Sequence, residues 1–130
     1  MPTDPAPATG TVLFAHGSRD PLWRAPIEAV ANRMRQLTPG TLVECAYLEF
    51  SAPDLATAVQ TLLNQGVVSV AVWPMFLGAG RHVREDLPVL LDGLRQRHPQ
   101  VAIGLHPAIA EHPDVLEAMA RTALGAPQQH

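Results

Sequence analysis

The stretch VVSVAVW, residues 67–73, decides the fold class of this chain. Apolar residues occupy both faces of the strand that it predicts, instead of alternating with polar ones. A strand of this kind is typical of a parallel sheet covered by helices on both sides. Further short apolar runs, at residues 11–15, 42–48 and 101–105, have the same character. The sequence therefore predicts a sheet of four parallel strands.

Helical patterns separate these runs. Apolar residues recur at the spacing of an amphipathic helix at residues 27–37, 55–63, from about 83 to 97, and 113–124. Pro88 falls inside the third segment, so we expect that helix to begin or to kink there. The strict alternation of strand and helix predicts a single α/β domain, a four-stranded parallel sheet flanked by helices with right-handed crossovers.

The ends of the chain differ in composition from its middle. Residues 1–10 are rich in proline and small residues and are expected to form a flexible leader. Residues 126–130 are expected to form a polar tail. The predicted domain therefore covers residues 11–125, and no second domain is indicated.

The composition argues against several classes of function. The chain has 130 residues, a formal net charge of -3 and no run of basic residues, which disfavours nucleic-acid binding. No apolar stretch is long enough to span a membrane. The single cysteine, Cys45, rules out an internal disulfide and predicts a protein of the reducing cytoplasm. Cys45 lies in an apolar run, which favours a buried structural thiol over a nucleophile.

Two histidines follow predicted strands. His16 comes directly after the run at 11–15, and His82 follows the run at 67–73 across a glycine-containing loop. Because the carboxyl ends of parallel strands meet at one edge of a sheet, both imidazoles are expected where open α/β sheets bind ligands. Imidazole is also the commonest side-chain ligand of borderline metal ions. The alternatives are a backbone-bonded turn histidine for His16 and a solvent-exposed side chain for His82.

A carboxylate is expected at the same edge. Glu49 lies just beyond the run at 42–48 and, taken alone, is most simply a solvated loop side chain. Together with His16 and His82 it forms a set of two histidines and one carboxylate that suits divalent Co, Fe, Ni or Zn. Such a set leaves coordination positions open, as a metal ion in transit or in catalysis requires.

Arginines flank both histidines. The chain contains no lysine, so all 9 of its basic residues are arginines. Arg19, Arg81 and Arg84 lie beside the two histidines in the sequence. They are either ordinary surface charges or the groups that bind an acidic ligand, because a guanidinium binds a carboxylate as a bidentate fork.

Other side chains are expected near this edge in supporting roles. Most of the aromatic residues Phe50, Phe76 and Trp73 are expected in the core, and one or two are candidates for a flat apolar floor. His106 ends the last predicted strand and is a candidate outer-shell residue of the site.

The segment His16-Gly17-Ser18 also resembles the oxyanion loop of α/β-hydrolases. Those enzymes need a Gly-x-Ser-x-Gly nucleophile elbow in addition. The chain contains no such motif and is short for that fold, so a small hydrolase is disfavoured.

Taken together, the motifs resemble the short CbiX-type sirohydrochlorin chelatases, which are class II tetrapyrrole chelatases. The resemblance rests on HGSR at residues 16–19, YLE at residues 47–49 before Pro53, PMFLGAGRH at residues 74–82, and DLP at residues 86–88. These motifs are spread through three strand–helix units, and the resemblance covers nearly the whole predicted domain.

The resemblance implies insertion of Co²⁺ into sirohydrochlorin during cobalamin biosynthesis, while related chelatases insert Fe²⁺ for sirohaem or Ni²⁺ for another tetrapyrrole. It implies His16 and His82 for metal and proton handling, with Glu49 as a third metal ligand. It implies a homodimer, since larger relatives contain two such domains in one chain. The metal is then a substrate, and no prosthetic group is expected.

This function also agrees with the residues themselves. A neutral imidazole ligates a metal ion and accepts a proton near neutral pH. Arginines are suitable groups for the acidic rim of sirohydrochlorin. A domain of this size offers one wall of a cleft, so a two-fold partner is expected to supply the other. A non-catalytic metal carrier is the alternative from another functional class.

Overall fold

The computed structural model describes residues 8–78 and 80–125, without the side chain of His82. These residues form strands that alternate with helices, in the order β1 (Thr9–Ala15), α1 (Ala25–Leu37), β2 (Leu42–Tyr47), α2 (Leu55–Asn64), β3 (Ser69–Pro74), α3 (Arg81–Arg97), β4 (Ala102–Leu105) and α4 (Pro113–Ala123). Short 3-10 turns at Pro21–Arg24 and Ile109–Glu111 precede α1 and α4. The predicted α/β domain is confirmed.

The strands form one 4-stranded parallel sheet in the order β2-β1-β3-β4. The chain therefore leaves β1 toward one side for β2 and later returns to the other side of β1 for β3. This reversal creates a switch point at the carboxyl ends of β1 and β3. Open α/β sheets bind their ligands in the crevice at such a point.

The main core lies between the sheet and the layer of α2 and α3. Val12, Phe14 and Val72 on the sheet are buried in one cluster with Leu62 of α2 and Leu91 of α3. The opposite face of the sheet packs against a second cluster. The strands are therefore apolar on both faces.

The second cluster is smaller and lies under α1. Leu13 and Val43 of the sheet pack there around Ala31 of the helix. It covers β1 and β2 and includes the partly buried Trp73 at the end of β3, whereas Ala102 and Gly104 of β4 remain exposed on that side of the sheet. The expectation of helices over both faces is therefore met only in part.

Two boundaries differ from the sequence-based expectation. β1 begins at Thr9, before the predicted start at residue 11, and Gly10 is buried because the side chain of Leu62 packs against it. α3 begins at Arg81 and continues through Pro88, so the expectation that the helix begins at the proline is wrong. Pro88 is exposed, and the Arg84 carbonyl that loses its intrahelical partner can therefore be solvated.

The remaining predicted segments lie at the ends of the chain. Residues 1–7, most of the expected leader, and the expected tail at 126–130 lie outside the described residues. Within the described part, no helix has the length and apolar character that a membrane span requires.

Candidate active site at the carboxyl edge of the sheet

His16 is the first residue after β1 and is exposed at the switch point of the sheet. Its ring stacks on Phe76, with ring centroids 4.5 Å apart and planes inclined by 29°. Phe76 is only 6% exposed and in turn contacts the edge of Phe14, at a centroid distance of 6.4 Å. No described residue is hydrogen-bonded to the imidazole nitrogens of His16. The ring is thus held by one face, while its polar atoms are available to a ligand.

Gly17 brings the loop after β1 into contact with the loop that contains Glu49. A Cβ atom placed on Gly17 would lie 1.2 Å from the carbonyl oxygen of Glu49. A side chain is therefore impossible at residue 17 unless one of the two loops moves. This contact makes His16 and Glu49 near neighbours along the carboxyl edge, although their side chains come from different strand–helix units. Glycine is thus required at residue 17 because the neighbouring loop lies so close to its Cα atom.

Hydrogen bonds connect the same two loops. The Ser51 hydroxyl donates to the Ser18 carbonyl at 2.9 Å, and the Ser18 amide donates to the Ser51 hydroxyl at 3.4 Å. At the end of the strands, the Leu48 amide donates to the Ala15 carbonyl at 2.9 Å. Glu49 itself is exposed between these anchors.

The predicted arginines have three different environments. The Arg19 guanidinium lies 4.7 Å from the ring centre of Phe50, which is 59% exposed and has a φ of 64°. Arg81 pairs with Glu85 at 3.1 Å on the exposed side of the first turns of α3. Arg84 lines a cavity of about 180 Å³ beside the end of β4. Of these three, Arg19 lies in the loop that directly follows His16.

His82 is the second residue of α3, at the end of the loop that leaves β3. The backbone therefore brings it to the carboxyl edge, as predicted, and its side chain lies outside the described part of the structure. Among the side chains that are described, no three histidine, cysteine, aspartate or glutamate residues converge on a common point that would hold a metal ion. The ligand set of His16, Glu49 and His82 stays a prediction.

An apolar cleft lies between this edge and the first turns of α3. The cavity has a volume of about 180 Å³ and is lined by Phe14, Leu48, Val83, Leu87 and Leu90, with Asp86 at its margin. Leu48 and Leu90 remain partly exposed. The cleft offers apolar contact area for a flat ligand, and Phe14, which lines it, contacts the Phe76 ring on which His16 stacks.

Trp73 packs on the face of the sheet that α1 covers. Trp73 stacks almost parallel to His106, with centroids 3.9 Å apart and planes inclined by 6°. Its ring also meets the edge of His112, at 6.3 Å. His106 therefore stacks on Trp73 as His16 stacks on Phe76, and its role as an outer-shell residue stays a prediction. Of the three aromatic candidates, it is Phe76 that provides a floor for His16.

Cys45 and Tyr47 face α1 and play a structural part. The Cys45 thiol is half-buried, not fully buried as the sequence predicted; it lies 3.9 Å from the Ile27 carbonyl, and burial raises its pKa. Burial raises the pKa of Tyr47 to about 12, and the neighbouring Cys45 adds to this effect. Among the described residues, no partner is hydrogen-bonded to the Tyr47 hydroxyl.

Two features of the site were missed from the sequence. The Gly17 contact with Glu49 is a non-local backbone approach, and no local pattern signals it. The stacking of His16 on Phe76 is equally non-local, although the position of Phe76 directly after a buried strand was a usable signal.

Comparisons with known proteins agree with this geometry. The CbiX family model matches residues 10–124. A sirohydrochlorin cobaltochelatase of Sulfurisphaera tokodaii is 32% identical over 104 residues, covering 78% of this chain and 85% of that protein. A protein of the same name from Methanocaldococcus jannaschii is 33% identical over 87 residues. That alignment covers 67% of this chain and 61% of the M. jannaschii protein.

Solved structures give the same result. The chain is similar to the CbiX protein of Marinobacter aquaeolei VT8, with a TM-score of 0.78, 32% identity, and 90% of this chain and 95% of that chain covered. The fold also matches the sirohydrochlorin chelatase SirB of Bacillus subtilis subspecies spizizenii, with a TM-score of 0.75 and 21% identity. The latter match covers 92% of this chain and 51% of SirB. The family match and these similarities show that the chain belongs to the CbiX family.

Proposed function

We propose that this chain inserts a divalent metal ion, Co²⁺ in the first place, into sirohydrochlorin. The observation that carries the proposal is the exposed His16 imidazole, which stacks on Phe76 at the switch point beside the loop of Glu49. Relatives named sirohydrochlorin cobaltochelatase support this reaction for the present chain. The metal ion is a substrate here, and the proposal includes no prosthetic group.

The proposed chemistry needs a loosely held metal ion and a base for the pyrrole protons of the macrocycle. A neutral imidazole serves either purpose, since it ligates borderline metal ions and accepts a proton near neutral pH. We assign these roles to His16 and His82, with Glu49 as the third metal ligand. So small a set of protein ligands leaves coordination positions open for the incoming pyrrole nitrogens.

Binding of the macrocycle is proposed to combine apolar and charged contacts. The cleft lined by Leu48, Leu87 and Leu90 offers its surface to the flat ring. Arg19 and Arg84 are suited to the carboxylates of sirohydrochlorin, since a guanidinium forms two parallel hydrogen bonds with one carboxylate. Arg81 is the third proposed substrate-binding arginine, and it must exchange its exposed partner Glu85 for a substrate carboxylate.

Two alternatives concern the metal and the activity. Imidazole and carboxylate also accept Fe²⁺ and Ni²⁺, so a ferrochelatase for sirohaem or a nickel chelatase uses the same residues. A metal carrier without catalysis is the alternative from another class. The names of the relatives favour the chelatase with cobalt over both.

The proposal includes a homodimer and a cytoplasmic location. The chain matches 51% of SirB, so a chain of about twice this length contains the fold of this chain in one half. A two-fold pair of the present domain would supply a second wall to the open cleft. The cytoplasmic location rests on the use of a single cysteine.

An insertion assay tests the function. Purified protein is mixed with sirohydrochlorin and with Co²⁺, Fe²⁺ or Ni²⁺ in turn, and the absorbance of the macrocycle is followed. We expect the rate with Co²⁺ to exceed the uncatalysed rate and the rates with the other two ions. Metal binding without any acceleration of insertion would instead identify a carrier.

The variant His16→Ala tests the assignment of the site. We expect the insertion rate to fall by about 10²-fold or more, because a positioned acid–base group contributes at least that much. His98→Ala is the matched control, since His98 lies at the C-cap of α3, at the opposite end of that helix from the site. Full activity of His16→Ala would exclude His16 from the reaction.

A further inference from the structure

The last helix, α4, has an apolar face without a partner in the described part of its own chain. Val115, Leu116, Met119 and Ala123 recur at helical spacing along it. Nevertheless α4 has no buried residue, and Leu116 and Met119 are 55% and 37% exposed. Neither core cluster of the described residues includes a side chain of α4. An amphipathic helix normally gains its stability by burying this stripe, so a covering surface is missing.

Part of one face of the sheet also lacks a covering helix among the described residues. We call this surface the β3–β4 face, and it consists of Ser69 and Ala71 on β3 with Ala102 and Gly104 on β4. The strand register sets Ser69 beside Ala102 and Ala71 beside Gly104. A Cβ atom on Gly104 would meet no other atom within 4 Å, and Ala102 is exposed. The small side chains would allow a helix to approach the strands closely.

We propose that α4 of each protomer packs on the β3–β4 face of a second copy of this chain, with a two-fold axis between them. The inference rests on the homodimer of the proposed function and names its contact surface. The apolar stripe of α4 lacks a surface to pack on, and the β3–β4 face lacks a helix to cover it, so each can cover the other. A second copy covers both at once, whereas an unrelated apolar helix on the β3–β4 face would leave α4 exposed. An exchange of this kind is isologous, as a closed dimer requires.

The size of the contact agrees with a dimer interface. A helix of 11 residues is about 16 Å long and about 10 Å wide, so the half that faces a partner covers roughly 300 Å². Each protomer supplies one helix and one sheet face, which removes roughly 600 Å² from each partner, most of the about 800 Å² of a standard interface.

The start of α4 is already fixed next to the β3–β4 face. His112, the N-cap of α4, contacts the edge of the Trp73 ring, and Trp73 stacks on His106 at the end of β4. The exchange therefore begins at the carboxyl edge of the sheet, the edge that also carries His16. Two protomers joined in this way bring their candidate sites to the region of the interface.

Surface variants test the contribution of α4 to dimerisation. We expect Met119→Asp to weaken dimerisation at least 100-fold, measured by sedimentation equilibrium. Leu37→Asp is the matched control, since Leu37 is 66% exposed at the end of α1 and outside the proposed contact. Circular dichroism verifies that both variants fold. Unchanged dimerisation of Met119→Asp, or a monomeric parent protein, overturns the proposal.

Cysteine pairing tests the exchange itself. In a Cys45→Ser background, Met119→Cys and Gly104→Cys are prepared as separate proteins, mixed and oxidised. A covalent dimer in the mixture, and in neither protein alone, is the expected result, because only a bond between chains can form. If the double variant instead forms a disulfide within one chain, α4 covers its own sheet and the proposal fails. These measurements use neither metal nor sirohydrochlorin, so their failure is separate from failure of the insertion assay.

Discussion

At the scale of single residues, Gly17 is the position on which the geometry of the candidate site most directly depends. The carbonyl oxygen of Glu49 occupies the space that any side chain at residue 17 would need. The preceding residue, His16, stacks on Phe76 beside the loop after β2. Because residue 17 has no Cβ atom, the loops that carry His16 and Glu49 can lie in contact.

Gly17→Ala is expected to lower the free energy of unfolding by at least about 1–3 kcal/mol, the usual cost of forcing extra atoms into a packed region. Urea unfolding measures the change. Gly78→Ala is the control, because a Cβ at that exposed position meets nothing within 4 Å. Equal stability of the two variants would show that the loops separate easily.

Tyr47 gives a second prediction at the residue scale. Burial raises its pKa to about 12, so the unfolded chain releases the phenol proton first as the pH rises above 10. The contribution of Tyr47 to the free energy of unfolding is thus complete below pH 10 and is lost as the pH approaches 12. Since Tyr47 is the only tyrosine, phenolate absorbance reports on it alone. We expect a midpoint near 12 in the folded protein and near 10 in urea, and a midpoint near 10 in both would contradict the prediction.

At the scale of secondary structure, caps and packing outweigh local propensity. α3 runs through Pro88 although proline disfavours a helix interior, because its buried residues Leu87, Leu91 and Leu94 pack against the sheet on both sides of the proline. α2 begins sharply, since the Asp54 carboxylate accepts a hydrogen bond of 2.8 Å from the Thr57 amide. Tertiary contacts therefore keep α3 helical across Pro88, and a cap fixes the start of α2.

Asp54→Ala is expected to lower the free energy of unfolding by about 1 kcal/mol at neutral pH, the usual cost of an N-cap. The hydrogen bonds with Thr57 lower the pKa of the Asp54 carboxyl, so this contribution is present above its ordinary value of 3.8 and is lost as the pH falls below it. Asp54→Asn keeps an acceptor oxygen and is expected to retain much of the stability without that pH dependence. Thermal unfolding at pH 3 and pH 7 distinguishes the three proteins.

At the scale of the whole molecule, the open surfaces of this domain point to assembly. The candidate site is open to solvent at the carboxyl edge of the sheet. In addition, α4 and the β3–β4 face lack partners among the described residues. SirB, whose chain this domain matches over 51% of its length, shows that the fold also occurs within a longer chain. Activity is therefore expected to depend on a second copy.

If the site needs two protomers, the specific rate of Co²⁺ insertion falls on dilution below the dissociation constant of the dimer. Two copies of the chain joined by a flexible linker are the control, because the linker keeps the second copy at high effective concentration. The linked protein is expected to keep its specific rate on dilution. A rate per chain that is independent of concentration in both proteins would exclude this dependence.

The pattern of apolar residues was sufficient to predict the strands, the helices and the edge where His16 and Glu49 lie. That success has a simple cause, because a strand buried on both faces must be apolar, and the carboxyl ends of parallel strands meet at one edge. Only the tertiary structure decided that Gly17 touches Glu49, that Phe76 supports His16, and that α3 tolerates Pro88. Each of these depends on atoms far apart in the chain. The apolar stripe of α4 is plain in the sequence, but a stripe records only that a surface avoids water and does not specify which surface covers it. The uncovered helix and sheet face therefore became visible only once the chain was folded.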